Sequence, residues 1–193
     1  MLWLALVLFL ALAIALLRGG RLTNLGDVHL RAWGLLLVGF ALQFATRFLP
    51  DDWSDAVGVL MVLASFVLLL VLVIVNKERP GMWLAGVGVL LNFTVISLNG
   101  GMPVLAEAAR VASGFTQDSP DIMGSFKHVV LDKDTIFPAF ADVIPLRFAG
   151  NGQVISLGDV FLAVGLGRFL EFELRKPRRY FRKGASAEAG SAH

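Results

Sequence analysis

The chain has 193 residues, 56% of them hydrophobic and only 17% charged, with a mean hydropathy of +0.73. A soluble domain holds about 45–50% apolar and about 25% charged residues, so this balance argues against an ordinary water-soluble fold and for a polytopic membrane protein. There is no cysteine, which excludes disulfide and thiolate chemistry, and the net charge of +2 is no nucleic-acid signature, because six basic residues crowd into Arg175–Lys183 directly after an apolar run, where they read as a cytoplasm-facing anchor.

The first apolar run, Met1 to Leu17, lies near the lower end of the roughly 17–25 residues that span a bilayer. No Lys or Arg precedes it, whereas Arg18 and Arg21 follow it, so it reads as an uncleaved span with its N-terminus outside rather than a secretory signal. A basic loop over 18–31, broken by Gly19-Gly20, leads to a second span over 32–49. The next turn, 50–55, is acidic and carries Trp53, a residue suited to an interface. The third span, 56–75, is apolar nearly all round and fits lipid exposure. A turn at 76–81 with two basic residues precedes the fourth span, 82–98, which closes at Asn99-Gly100-Gly101, a sequence suited to a helix C-cap. The fifth span is expected over 154–174, and the tail from Gly184 to His193 is small, polar and expected to be disordered.

The expected fold class is therefore an all-α, polytopic transmembrane helical bundle of about five spans. Residues 1–175 form the bundle, and 176–193 form a basic and then disordered tail. Basic loops at 18–31, at 77–80 and after the fifth span alternate with the acidic 50–55 loop, which places the N-terminus outside and the C-terminus in the cytoplasm of a cell (inner) membrane. Were the first run to lie on the surface, the other four spans would keep their orientation.

The segment 100–153 then lies outside and is too long to be structureless. Pro103 is expected to start a short helix with Val104, Leu105, Ala108 and Val111 on one face. The greasy stretch Phe126–Leu146 is expected to lie along the outer interface or to fold back as a cap over the bundle.

Polar residues within apolar spans are costly, so their positions are informative. Gln43 and Arg47 share a face near the outer end of the second span, Asn92 and Asn99 share one on the fourth, and Ser156 and Asp159 share one at the start of the fifth. Gln43, Asn92 and Asp159 would each sit ~7–10 Å below the outer boundary. Gln43, Arg47, Asn92, Asn99, Ser156 and Asp159 are the candidate ligand-binding residues. The bland alternative is that Asn92 and Gln43 are packing glue between helices, and that Asp159 and Arg47 neutralise each other. His128 is a candidate general base, and Asp142, most simply a solvated acid, a further catalytic candidate beside Asp159. A lone histidine without Cys or His neighbours is not a metal signal, so neither a metal nor a cofactor is expected. Arg168 either snorkels or meets Glu171, and His29 is a loop residue.

Through NGGMPV (Asn99–Val104), KHVVLDKDT (Lys127–Thr135) and SLGD (Ser156–Asp159) the chain resembles a family of small bacterial integral membrane proteins of unknown function. The resemblance covers nearly the whole chain. It implies the membrane architecture and makes Asn99, Met102, Pro103, Lys127, His128, Asp132, Thr135, Asp142, Ser156, Gly158 and Asp159 the residues to test first. There is a looser likeness to lipoprotein signal peptidases, small bundles with two catalytic aspartates near the outer face, although the motifs around those aspartates are not present here.

Three functions follow as expectations. The first is a non-enzymatic bundle binding a lipid headgroup or small amphiphile at an outer-leaflet site, for transport or presentation. The second is an intramembrane enzyme acting on a lipid or peptide at the outer interface, with Asp159 and His128 as an acid–base pair. The third is a structural subunit of a larger membrane complex. Membrane lipids are the expected partners, with protein partners or a homo-oligomer in the third case and no nucleic acid in any.

Overall fold

The computed structural model describes residues 2–50, 54–114, 128–148 and 150–176. Trp53, Phe126, Lys127 and the tail from 177 onward, each part of an expectation above, lie outside the described residues. The fold is mostly helical. Five long helices are α1 (Leu2–Leu17), α2 (Gly34–Ala45, extended by a 3-10 turn at Thr46–Phe48), α3 (Ser54–Val75), α4 (Met82–Asn99) and α6 (Leu157–Leu174); a short α5 (Ala106–Ser113) lies between the last two. They pack in the order α2, α3, α4, α6, α1, so α6, last in sequence, sits between α1 and α4. Among the described residues two segments, Ala56–Val75 and Met82–Asn99, are long and apolar enough to cross a membrane; α1 and α2 are apolar but shorter. The core helix of a soluble protein is mostly buried, whereas only 28% of the α3 segment is covered by protein, and Leu60, Val67, Val71 and Ile74 stand exposed along it.

The closest helix pair is α4 with α6, and the sequence shows why. Gly81, the N-cap of α4, and Ala85, Gly88 and Asn92 on it face Phe169, Gly165, Leu162 and Gly158 of α6 in antiparallel order. A Cβ at Gly88 would overlap the Gly158 carbonyl and the Leu162 amide, and one at Gly165 would overlap the Ala85 amide. With no side chain there the two backbones come into contact, the arrangement small residues permit between apolar helices.

One end of the bundle is closed by the described residues of 100–114, 128–148 and 150–156. Strand β1 (Met102–Val104) pairs in parallel with β2 (His128–Val130), and Asp142 bridges Val104 on the other side. Strands β3 (Ile144–Phe148) and β4 (Asn151–Ile155) form an antiparallel hairpin on which α5 rests. Met102 joins Val62 of α3 and Val95 and Ile96 of α4 in a buried cluster, with Phe140 packed against it, so the cap is seated on the ends of α3 and α4.

These strands correct the all-α expectation, which holds for the bundle alone. Pro103 does not start a helix. It lies in β1, where its carbonyl accepts the Asp142 N–H at 2.8 Å, and the Leu105 N–H donates to the Asp142 carbonyl at 3.0 Å. Those two bonds hold the backbone extended through Leu105, so the helix starts at Ala106. Its buried face is Ala108, Ala109 and Ala112 rather than the larger Val111, because Gly152 of β4 brings the hairpin backbone against the Ala112 carbonyl. Likewise Val154 and Ile155 belong to β4, and the last long helix begins at Leu157.

The opposite end gathers the basic loops. Arg18 meets Glu171 at 2.7 Å, and the buried Glu173 carboxylate takes Arg79 at 2.8 Å and Lys176 at 2.6 Å. Asn76 both accepts from and donates to the Arg31 backbone, each at 2.9 Å, while Asn24 donates to the carbonyls of Leu174 and Lys176. Buried charge and amide groups here are partnered, as a low-dielectric setting requires. His29 lies in its loop, as expected, with its carbonyl accepting from Arg79.

Candidate functional site

The polar groups at the capped end form one connected cluster around the start of α6. Ser156 is its N-cap: the Oγ accepts the Asp159 N–H at 3.1 Å, and the Asp159 carboxylate accepts the Ser156 N–H at 3.2 Å, a reciprocal capping box. This local chemistry fixes Asp159 at the third helical position, where the positive end of the helix favours a carboxylate. From α4, Asn92 donates to Asp159 Oδ1 at 2.8 Å and accepts from Ser156 Oγ at 3.0 Å. Gly158 makes this possible, since a Cβ there would occupy the position of Asn92 Oδ1. Asn92, Ser156 and Asp159, inferred from sequence as site residues, are thus brought together.

Asp142 stands beside them. Its backbone is held by β1, and its side chain is turned inward and buried. Burial first, and then the nearby Asp159 charge, push its carboxyl from the ordinary value of 3.8 to about 8, so it holds its proton at neutral pH. Asp142 Oδ1 has no hydrogen-bond partner among the described residues. Its Oδ2 lies 3.8 Å from His128 Nε2, too long for a hydrogen bond. The two catalytic candidates from the cap, His128 and Asp142, therefore adjoin each other, and Asp142 lies within electrostatic reach of the third, Asp159. A protonated carboxyl beside an imidazole can give and take a proton. No group of three or more His, Cys, Asp or Glu suited to a metal ion occurs among the described residues.

The other candidates lie elsewhere. Gln43 donates to Ser65 Oγ at 2.8 Å and so ties α2 to α3. Arg47 is exposed, with its guanidinium 5.7 Å from the Phe44 ring centroid; no ion pair joins it to Asp159 among the described residues. Asn99 fastens the cap: its Nδ2 donates to the Ile136 carbonyl at 3.0 Å and its Oδ1 accepts the Ile136 N–H at 2.8 Å. Asp132 and Thr135 close the turn before that point, with the Asp132 N–H donating to Thr135 Oγ1 at 2.9 Å. Glu173 was not singled out from sequence. Its sign was available in the three cations, Arg79, Arg175 and Lys176, that flank the basic end around it.

A family model described as a family of unknown function (DUF5317) matches residues 27–170. The chain is also 32% identical over 174 residues to an uncharacterized protein of Thermotoga maritima, covering 89% of this chain and 90% of that one. No solved structure matches. The matched family region includes every residue of the cluster.

Proposed function

The chain belongs to this family, DUF5317, whose function is unknown, and from that premise we propose that it is a multi-pass membrane protein that binds the polar head of a lipid or small amphiphile beneath its cap. Five helices cross the bilayer, α1 with its N-terminus outside, and the capped end faces the extracytoplasmic side. In support, the basic loops collect at the other end, the side on which Lys and Arg are retained. The exposed apolar side chains of α3 and α4 suit lipid.

The observation that carries the binding site is Asp142 Oδ1, a buried oxygen lacking a partner among the described residues. Leaving such a group unsatisfied costs about 1–3 kcal/mol, which a ligand donor would recover. With Asp159 adjacent, the cluster favours a head bearing a hydroxyl or an amine over an anionic one. Arg47, the residue that would suit an anionic head, is outside the cluster. Entry is on the side of His128, whose side chain is 29% exposed against 7% for Asp142.

Native mass spectrometry of protein purified in mild detergent tests this. One co-purifying species is expected with the wild type, and it should be lost from Asp142→Ala and from Asp159→Asn while helical content is retained. Identical adducts on all three proteins would end the proposal. A second reading, proton-transfer chemistry on that same head by His128 and Asp142, draws on their 3.8 Å approach. It calls for product formation from a supplied amphiphile, lost in His128→Gln with binding intact.

A further inference from the structure

An open groove of about 470 Å³ lies at the opposite, basic end, between the end of α1, the turn before α4 and the last turns of α6. Arg18, Arg168, Arg175 and Lys176 line it, against one acid, Glu171. Glu171 is already shared by two guanidinium groups, Arg18 at 2.7 Å and Arg175 at 3.4 Å. Lys176 is engaged by Glu173 at 2.6 Å. Arg168 is exposed and makes no hydrogen bond or ion pair among the described residues, although its charge lies within electrostatic reach of Glu171. The groove wall therefore carries surplus positive charge, with Arg168 as a planar, bidentate donor still to be used. Beside it the surface is apolar: Leu17 is 89% exposed and Phe172 is 44% exposed.

A site with fixed guanidinium groups on one side and open apolar surface on the other matches one ligand chemistry, a phosphate ester attached to acyl chains. We infer that this groove binds the phosphate of an anionic phospholipid in the cytoplasmic leaflet, with Arg168 as its principal contact. The site is separate from the cluster beneath the cap. It rests only on the reading that the helices cross a bilayer with this end inward.

The full-length protein is placed in nanodiscs of phosphatidylcholine alone or with one-fifth phosphatidylglycerol, and thermal unfolding and retained lipid are measured. Phosphatidylglycerol should raise the unfolding midpoint by several degrees. Arg168→Gln should abolish that rise and cut retained phosphatidylglycerol at least fivefold, Arg168→Lys should keep part of it, and raised salt should weaken it in the wild type. No lipid preference, or an undiminished one in Arg168→Gln, overturns the inference. So does inorganic phosphate that stabilises the detergent-solubilised protein as much as the lipid does. Alkaline carbonate extraction of membranes from cells making the protein separates the two readings: release of the protein sinks the membrane assignment itself, while retention without phosphatidylglycerol preference sinks the groove alone.

Discussion

Asp142 is the residue whose chemistry departs furthest from its sequence appearance. In the chain it is one of several acids in a polar stretch. Its burial comes from pairing with β1, almost forty positions earlier, which no local pattern announces. Its folded value of about 8 stands above the ordinary 3.8, so the folded protein holds a proton that the unfolded chain releases. Stability is greatest below about pH 4 on this account and falls as pH rises through the window to about 8. Asp142→Asn should remove that slope, seen as closer unfolding midpoints at pH 5 and pH 8 than in the wild type. Asp159 was legible only as a costly carboxylate sharing a face with Ser156; the capping box emerges once the helix is seen to start at Leu157. Ser156→Ala removes the N-cap acceptor and should cost about 1 kcal/mol in a chemical unfolding experiment. Gln43 was legible as a costly polar group within an apolar run but not in its destination, since Ser65 is one of many residues a turn of α2 can face.

At the scale of elements, the helices were readable because each apolar run is long and bounded by charge, glycine or proline. The ends of α3 and α4 fall within two residues of the boundaries those signals give. The cap was not readable, because three- and five-residue strands with a proline in two of them leave too short a pattern, and the β1–β2 pairing is non-local. The α4–α6 contact depends on absent side chains. Gly88→Leu should force the helices apart at a cost of about 1–3 kcal/mol, whereas Gly26→Ala, with open space around it, should be near neutral; detergent unfolding curves of the two variants give the comparison. The cap is fastened to α4 through Asn99, whose side chain takes both backbone groups of Ile136. Asn99→Ala should speed amide exchange at Ile136 by roughly ten- to hundredfold, since two hydrogen bonds of about 1 kcal/mol each are removed.

For the whole molecule, the two ends differ in kind. One end is a seated cap over a carboxyl cluster, and the other a set of arginine- and lysine-bearing loops drawn together by Glu171 and Glu173. The alternation of basic and acidic loops made that polarity visible in the sequence, although not which side chains tie each end. The chain has no cysteine, so single cysteines can report topology without background. Asp132→Cys, exposed on the cap, should react in intact cells with a membrane-impermeant maleimide, and Lys77→Cys should react only after lysis.

Helix α6 has 18 residues and is about 27 Å long. Its first turn carries Asp159, locked to α4, and its last carries Glu173, locked to Arg79 and Lys176. A stiff lever pinned at both tips cannot advance at one without dragging the other. A slide of one helical rise, about 1.5 Å, would strain both fastenings together. An occupant arriving at either tip would thus be felt at the far one, and by thermodynamic reciprocity the influence would run equally in both directions.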